Sequence, residues 1–307
     1  MKIVSTFSGA GGLDLGLVNA GHQVIWANDI DLDSCETYRL NIGNHIICKD
    51  ILDIELVEIP NCDVVVGGFP CQGFSTANML RNVDDERNKL YKQFYRIVKG
   101  KKPKYFIAEN VKGILSLDGG NIIKKIVNDF SSAGYRVKYR LFNTANYGIP
   151  QTRSRVIIVG VRKDLKEEMD FQFPEPTHHK TEWISISEAL QGIPEPDDPK
   201  SNLKNHIYSK YKITNRNFTG HRETDPTKPS PTILARGNGK GGVCAIQHPK
   251  NHRRMSVRES ALIQTFPIDF EFVGSMGSMY RQVGNAVPVL FAKHLGEKLK
   301  ALEDTLG

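Results

Sequence analysis

Long apolar runs are missing from this 307-residue chain. No stretch approaches the roughly 18–20 consecutive apolar residues that a bilayer span needs, which excludes a membrane-crossing helix. A secretory leader is missing too. Met1-Lys2-Ile3-Val4 turns apolar at once, without the charged, apolar and small-residue succession of a signal peptide. A cytoplasmic protein is expected. Cysteine is scarce: Cys35, Cys48, Cys62, Cys71 and Cys244 lie far apart, and none forms a C-x-x-C pair. That argues against a structural zinc or a redox dithiol, and no metal is expected. An odd number of thiols inside a cell points to free cysteines. Internal repeats and low-complexity tracts are also lacking.

What remains is ordinary globular composition, 39% hydrophobic and 24% charged, at a length that suits one large domain and a smaller one. The net charge of +7 favours a polyanionic partner. Over the first 160 or so residues, short apolar runs alternate with helical patterns. Lys2–Phe7, Gln23–Ala27, His45–Cys48, Asp63–Gly67 and Lys104–Ala108 read as buried strands. Gly12–Ala20, Leu32–Leu40, Lys89–Lys99 and Asn121–Ala133 read as helices. Such alternation predicts an α/β fold, a doubly wound and mostly parallel seven-stranded sheet. Arg136–Phe142 and Arg155–Val161, separated by the turn residues Asn146 to Pro150, predict an antiparallel pair at one end of it. From Glu175 to Lys250 the chain is rich in Pro, Gly, Asn, His and basic residues, which predicts a loop-rich second region. A short helix over Val257–Phe266 and a last one from Val287 to about Leu302 follow.

The first strand leads into Phe7-Ser8-Gly9-Ala10-Gly11-Gly12-Leu13. Glycines between a strand and a helix let backbone approach a ligand closely. Asp14 breaks the G-x-G-x-x-G spacing, which weakens a dinucleotide reading. Asp29 and Asp50 end the second and third strands, where one acid could accept from ribose hydroxyls and the other from an adenine amino group. Either could instead cap a helix, but as a pair behind a glycine loop they favour a ligand.

The fourth strand ends in Gly67-Gly68-Phe69-Pro70-Cys71-Gln72-Gly73. Alone, Cys71 would most simply be a small buried hydrophobe; its Pro and Gly flanks put it on a tight turn at the ligand edge. Glu109 follows the fifth apolar run, where partial desolvation would raise its pKa and suit it to donate to a ring nitrogen. In Gln151-Thr152-Arg153-Ser154-Arg155, residues two apart on a strand share a face, so Arg153 and Arg155 could converge on a phosphate or a base oxygen. From spacing alone, two surface arginines is the plainer reading.

Taken in order, F-S-G-A-G-G, G-F-P-C-Q, E-N-V, Q-x-R-x-R, R-E-S-A-x-x-Q-T-F-P and Q-V-G-N-A-V-P resemble the cytosine-C5 DNA methyltransferases, bacterial restriction–modification enzymes above all. The resemblance runs from Phe7 to about Leu295 with a gap in the variable region. It implies a Rossmann-like S-adenosylmethionine domain over residues 1–169 and 279–307, and a target-recognition domain over 170–278. It implies Cys71 as nucleophile, Glu109 on the cytosine N3 edge, Arg155 on O2, and Arg153 supporting Glu109 or a phosphate. It further implies a methyl-donor pocket of Phe7, Ser8, Gly9, Ala10, Gly11, Gly12, Leu13, Asp29, Ile30, Asp50, Ile51, Pro70, Leu90 and Asn285. Asp29 stands where many members of the family carry Glu. The implied reaction is attack of the thiolate on C6, methyl transfer to C5, loss of the C5 proton and release of Cys71. S-adenosylhomocysteine would be the product.

The target atoms are closed off inside a stacked duplex, so the base must be flipped out. Gly73–Asn88 is polar and loop-like and is expected to form a lid that orders on DNA. Gln72, Ser75, Arg81 and Arg87 would meet DNA there. In the variable region Arg216, His221, Arg222, Arg236, Asn238, Lys240, His248, Arg253 and Arg254 supply groups for phosphates and bases. Thr232-Ile233-Leu234 resembles the short Thr-Leu element of family recognition domains. A monomer is expected, with double-stranded DNA as partner and a cognate endonuclease sharing the target without direct contact. Three rivals stand beside this reading. They are the tRNA-methylating branch of the family, whose Cys-Phe-Thr signature is not found here, a nucleotide-dependent oxidoreductase, and an inactive DNA-binding regulator.

Overall fold

A computed structural model describes residues 1–70, 89–210, 221–222, 224–235, 245–250 and 253–304. The first half builds one sheet from short, β-branched runs: β1 (Lys2–Thr6), β2 (Gln23–Asp29), β3 (Ile46–Cys48), β4 (Val64–Gly67), β5 (Tyr105–Val111), β6 (Tyr135–Asn143) and β8 (Ser154–Arg162). The helices α1 (Gly12–Asn19), α2 (Leu32–Asn41), α3 (Lys89–Lys101) and α4 (Asn121–Ser132) lie between them. The sheet order is β3-β2-β1-β4-β5-β8-β6, with seven strands. Only β8 runs against its neighbours, pairing antiparallel with β5 and β6. The expected mostly parallel sheet with an antiparallel pair at one end is what forms.

Successive residues of each central strand face opposite sides of the sheet, and the core divides accordingly. Ile3, Val64, Val66, Tyr105, Ile107 and Ile157 join one hydrophobic cluster, while Val4, Val65, Phe106, Ala108, Val156 and Ile158 join the other. The first is closed by Leu13 and Leu17 of α1, Cys35 and Tyr38 of α2, and Phe291, Leu295 and Leu299. The second is closed by Phe94, Ile97 and Val98 of α3 and Ile126 and Phe130 of α4. Burial on both faces is why these strands read as unbroken apolar runs instead of alternating ones.

A third cluster gathers Ile186, Ile233, Ile246, Met255, Val257, Phe266, Phe270, Phe272, Tyr280 and Val283, and includes Ala10 from the first half of the chain and Val289 from near its end. Its elements are short: β7 (Gln151–Thr152), α5 (Ile186–Ala189), β9 (His221–Arg222), β10 (Ser230–Pro231), β11 (Ala245–Ile246) and α6 (Val257–Ile263). Then come α7 (Met276–Asn285) and α8 (Val289–Asp304).

Two expectations change. Helix α7 was not foreseen, because Gly277, Ser278 and Gly284 weaken its propensity. Its signal was present in the Ser275 cap, whose hydroxyl accepts from Ser278 N, and in Met276, Tyr280 and Val283 at helical spacing. The second concerns Arg153, which lies on no strand. Gln151–Thr152 pairs separately with Ser230–Pro231, and β8 begins only at Ser154.

Helix α8 packs on α1, and glycine permits the close crossing. A Cβ at Gly16 would stand 2.4 Å from the carbonyl oxygen of Val289 and 2.4 Å from Ala292 Cβ. Neither neighbour is a flexible side-chain end. Gly16→Ala should therefore lower stability by about 1–3 kcal/mol through overpacking; a thermal midpoint equal to that of the parent protein would refute it.

Candidate active site

The carboxyl ends of β1, β2, β4 and β5 open on one cavity of about 1050 Å³, a size that suits a nucleoside-sized ligand together with a second group. At its floor the chain leaves β1 through Phe7, which adopts φ +54°, a conformation costly for a residue with a Cβ. Gly9, at φ +54°, has open space where a side chain would stand. Asp29 fixes this loop: its Oδ2 accepts from Gly9 N at 2.7 Å and its Oδ1 from Asp31 N at 2.9 Å. Burial raises its pKa above the usual carboxylate range, against the pull of those N–H groups. With Ile30 N–H also contributing, the carboxylate still keeps acceptor capacity for a ligand hydroxyl. The capping role considered for Asp29 belongs to Asp31, whose Oδ1 accepts from Ser34 N at 2.9 Å. Burial would raise the Asp31 pKa, but the Ser34 contacts and Arg281 outweigh it and hold it low.

Asp50 caps a short 3-10 turn, Oδ1 accepting from Leu52 N at 3.0 Å, so here capping and cavity lining coexist. Ile30 stands 68% exposed on the cavity wall, an apolar surface that a flat ring could cover. Phe7, Ser8, Gly9, Gly12, Leu13, Asp29, Ile30, Asp50, Ile51, Pro70, Leu90 and Asn285 all line this cavity. Ala10 and Gly11 do not. Ala10 points into the third core cluster, and Gly11 caps α1 at φ +89° against Tyr38 and Ile42.

Elsewhere on the cavity wall β5 continues past its apolar run. Pairing with β8 carries it through Glu109↔Ile157 to Val111↔Arg155. Glu109 therefore sits within the strand, and Arg155 is its diagonal neighbour, within reach of two long side chains. Arg155 Nε lies 2.6 Å from Glu109 Oε1, both side chains only 13% exposed. The contact is an ion pair without hydrogen-bond alignment, so Oε1 remains a buried acceptor with capacity unfilled. The carboxyl expected to be partly desolvated is thus a paired one, and its partner is Arg155, not Arg153.

Arg153 is 1% exposed and donates from Nη1 to Ile233 O at 3.1 Å, while its Nε has no partner. Burial, with help from Arg155 and against Glu109, pushes its pKa down to about 9, so it stays a cation at neutral pH. One wall thus offers an open acceptor and an open donor, fit for a planar ligand carrying both kinds of edge.

Several lining residues escaped the sequence reading. Asn110, 2% exposed, donates to Phe69 O at 3.0 Å, and Phe69 is clamped between Tyr91 and Phe94. Together they anchor the chain just before Pro70. The E-N-V motif contained this signal without revealing its partner. Gln282 donates to Val273 O at 2.8 Å and accepts from Thr37 Oγ1 at 2.7 Å, and Arg281 donates to Asp31 Oδ2 at 2.9 Å. These contacts dock α7 on α2 and bring Asn285 to the cavity.

In the variable region, Thr232 donates to Thr152 O at 2.8 Å and so stitches the junction beside Arg153. Three basic residues named as DNA contacts lie inside. Arg253 reaches Glu259 at 2.7 Å and Glu195 at 2.9 Å, His248 is buried 3.7 Å from the same Glu259, and Arg254 is buried against Tyr280 and Met255. Arg253 and His248 thereby hold α6 through Glu259, because a buried carboxylate requires partners. Only the backbone of His221 and Arg222 is described. Cys71, Gln72, Ser75, Arg81, Arg87, Arg216, Arg236, Asn238 and Lys240, with the proposed lid over residues 73–88, fall outside the described residues.

Against known proteins, residues 1–301 match the family described as C-5 cytosine-specific DNA methylase. The Type II methyltransferase M.NgoFVII of Neisseria gonorrhoeae is 41% identical, over 94% of this chain and 83% of the relative. The Type II methyltransferase M.FnuDI of Fusobacterium nucleatum is 38% identical, over 98% of this chain and 94% of the relative. In architecture the chain is similar to the Dnmt2 methyltransferase of S. pombe, with TM-score 0.74, 20% identity, and coverage of 100% and 99% of the two chains.

Proposed function

The chain belongs to the C-5 cytosine-specific DNA methylase family, and from that premise we propose how its residues methylate DNA and to what end. It is a DNA cytosine-C5 methyltransferase; identity with Type II relatives favours DNA over tRNA as substrate, and the family match leaves the oxidoreductase reading without support. S-adenosylmethionine, the donor that the family implies, supplies a methyl group made electrophilic by a positively charged sulfur. The glycine loop, Asp29, Ile30, Asp50, Ile51, Leu90 and Asn285 hold it.

Cytosine, flipped from the duplex, lies along the wall of Glu109, Arg153 and Arg155. The Cys71 thiolate bonds to C6, and the ring electrons are drawn toward N3, where Glu109 donates a hydrogen bond or a proton. Arg155 holds O2 beside its contact with Glu109, and Arg153, anchored on Ile233 O, adds positive charge behind Glu109. C5, now nucleophilic, gains the methyl group. A base removes the C5 proton, the C5–C6 double bond re-forms, and Cys71 leaves. The observation that carries this reading is that the base-handling wall and the glycine loop with Asp29 line one cavity.

Residues 1–169 and 279–307 make the catalytic unit, and residues 170–278 present the target. Gln72, Ser75, Arg81 and Arg87 beside Cys71, with Arg216, Arg222, Thr232, Arg236, Asn238 and Lys240, contact the duplex. The enzyme acts as a monomer in the cytoplasm. It protects host DNA from an endonuclease that cuts the same sequence, as the Type II names of its relatives suggest. Duplex carrying 5-fluorocytosine at the target should, with S-adenosylmethionine, trap a covalent complex that survives denaturation, since fluorine cannot leave as a proton does. Cys71→Ser should abolish it. No adduct with the parent protein would sink the covalent mechanism. Bisulfite sequencing of plasmid from expressing cells would give the target and test the reaction.

A further inference from the structure

Asp14 is the residue that spoiled the dinucleotide pattern, and the mechanism does not use it. It begins α1 directly behind the glycine loop, is 0% exposed, and forms part of the cavity wall. Both of its oxygens are engaged, but only by hydroxyls: Ser5 Oγ donates to Oδ1 at 2.7 Å and Tyr38 Oη to Oδ2 at 2.8 Å. No ion pair joins it to a cation among the described residues. Its surroundings offer no hidden counter-charge. From β1 comes Ser5 and, through it, Ser8 of the following loop; from α2 comes Tyr38, which also touches His45 Nε2 at 3.0 Å; from β2 comes Asp29, a second acid. Burial keeps His45 below its ordinary pKa and so neutral at physiological pH, and Asp29 adds repulsion.

A carboxylate taken out of water without a cation is costly, and proteins rarely keep one that nothing pairs. Here burial raises the Asp14 pKa to about 6, the two hydroxyls opposing. The group is therefore mostly ionised at neutral pH yet electrostatically unsatisfied. The missing cation has to arrive with a ligand of this cavity. The methyl donor carries two, an α-ammonium that its product keeps and a sulfonium that is lost on methyl transfer, so only the sulfonium can distinguish donor from product.

We propose that Asp14 is a specificity-determining residue whose buried negative charge favours the sulfonium of S-adenosylmethionine over the thioether of S-adenosylhomocysteine. This rests on the reading of the cavity as the donor site. Such a preference limits product inhibition. It strengthens ground-state binding without assisting the chemical step, so its removal raises KM more than it lowers kcat.

Calorimetric titration of S-adenosylmethionine and S-adenosylhomocysteine into parent protein and Asp14→Asn decides the matter. Asn keeps the shape and the ability to bond both hydroxyls. The affinity ratio of donor to product should fall by about five- to thirtyfold in the variant, the worth of one unit charge in a partly screened site. A ratio unchanged within twofold would overturn the proposal. The parent protein offers a check free of any folding defect in the variant. Proton binding to Asp14 competes with a cationic ligand, so donor affinity should drop as pH falls below about 6. Product affinity shares any titration of Asp29 and should drop less. Parallel pH profiles would refute Asp14 alone; failure of both ligands to bind would instead refute the donor-site reading.

Discussion

Glu109→Gln should slow methyl transfer by about 10²- to 10⁴-fold in single-turnover assays, the usual worth of a positioned acid–base group. Product affinity should stay within about twofold. The substitution keeps the volume of the side chain and removes its charge and its exchangeable proton. Glu109 meets the base wall through Oε1 and Arg155, whereas the glycine loop is held by Asp29, which does not touch it. The two losses should therefore separate: kcat falls, and the dissociation constant of S-adenosylhomocysteine does not. A variant retaining a tenth of the parent rate would remove Glu109 from the mechanism. One that loses product binding to the same extent would make its role structural. The 2.6 Å approach of Arg155 adds a second reading of the same experiment. Arg155 was paired and becomes an uncompensated cation beside Arg153, so Glu109→Gln should also weaken the register of the β5–β8 edge.

Gln264→Leu should cost about 3 kcal/mol or more, given about 1–3 kcal/mol for each buried polar group left unpaired. The thermal midpoint should fall by roughly 5–10 °C. Gln264 is 0% exposed and lies at the crossing of the elements that build the cavity. Its Oε1 accepts from Gln151 Nε2 at 2.9 Å, and its Nε2 donates to Val283 O at 2.7 Å and to Ala286 O at 3.2 Å. Gln151 in turn accepts from Ile233 N at 3.0 Å, and Ile233 O receives Arg153. A chain of amides thus links the turn bearing Asn285 to the arginine on the base wall. Leucine fills the space but makes none of these bonds. Loss of cofactor affinity and of rate should accompany the loss of stability, because both ends of the chain move. Unchanged stability would mean that the pairing is incidental.

Much of this was legible in the chain. The strand ends could be read because a sheet buried on both faces imposes apolar runs, and the loops after them carry residues with no structural excuse. Glycines at Gly9 and Gly12, an acid at Asp29 and another at Glu109 fall where an α/β sheet opens to ligands. Helix α7 was harder, because its glycines serve close packing. A Cβ at Gly284 would stand 2.3 Å from Ala235 N, a constraint set by a segment about fifty residues away. The basic residues misled for a related reason. Charge in a sequence suggests solvent or phosphate, but Arg253 answers the buried Glu259 and, at the rim, the exposed Glu195.

The sequence by itself determined the sheet, the order of the motifs and the chemical types that meet at the strand ends, because periodicity and turn chemistry act between near neighbours. Only the tertiary structure decided which charges are paired. Glu109 meets Arg155 across a strand pairing, Arg153 is oriented by Ile233 from the third core cluster, and Asp14 is buried behind its own loop with hydroxyls alone. Burial and the distance between charges are set by residues far apart in the chain, and no local pattern encodes them.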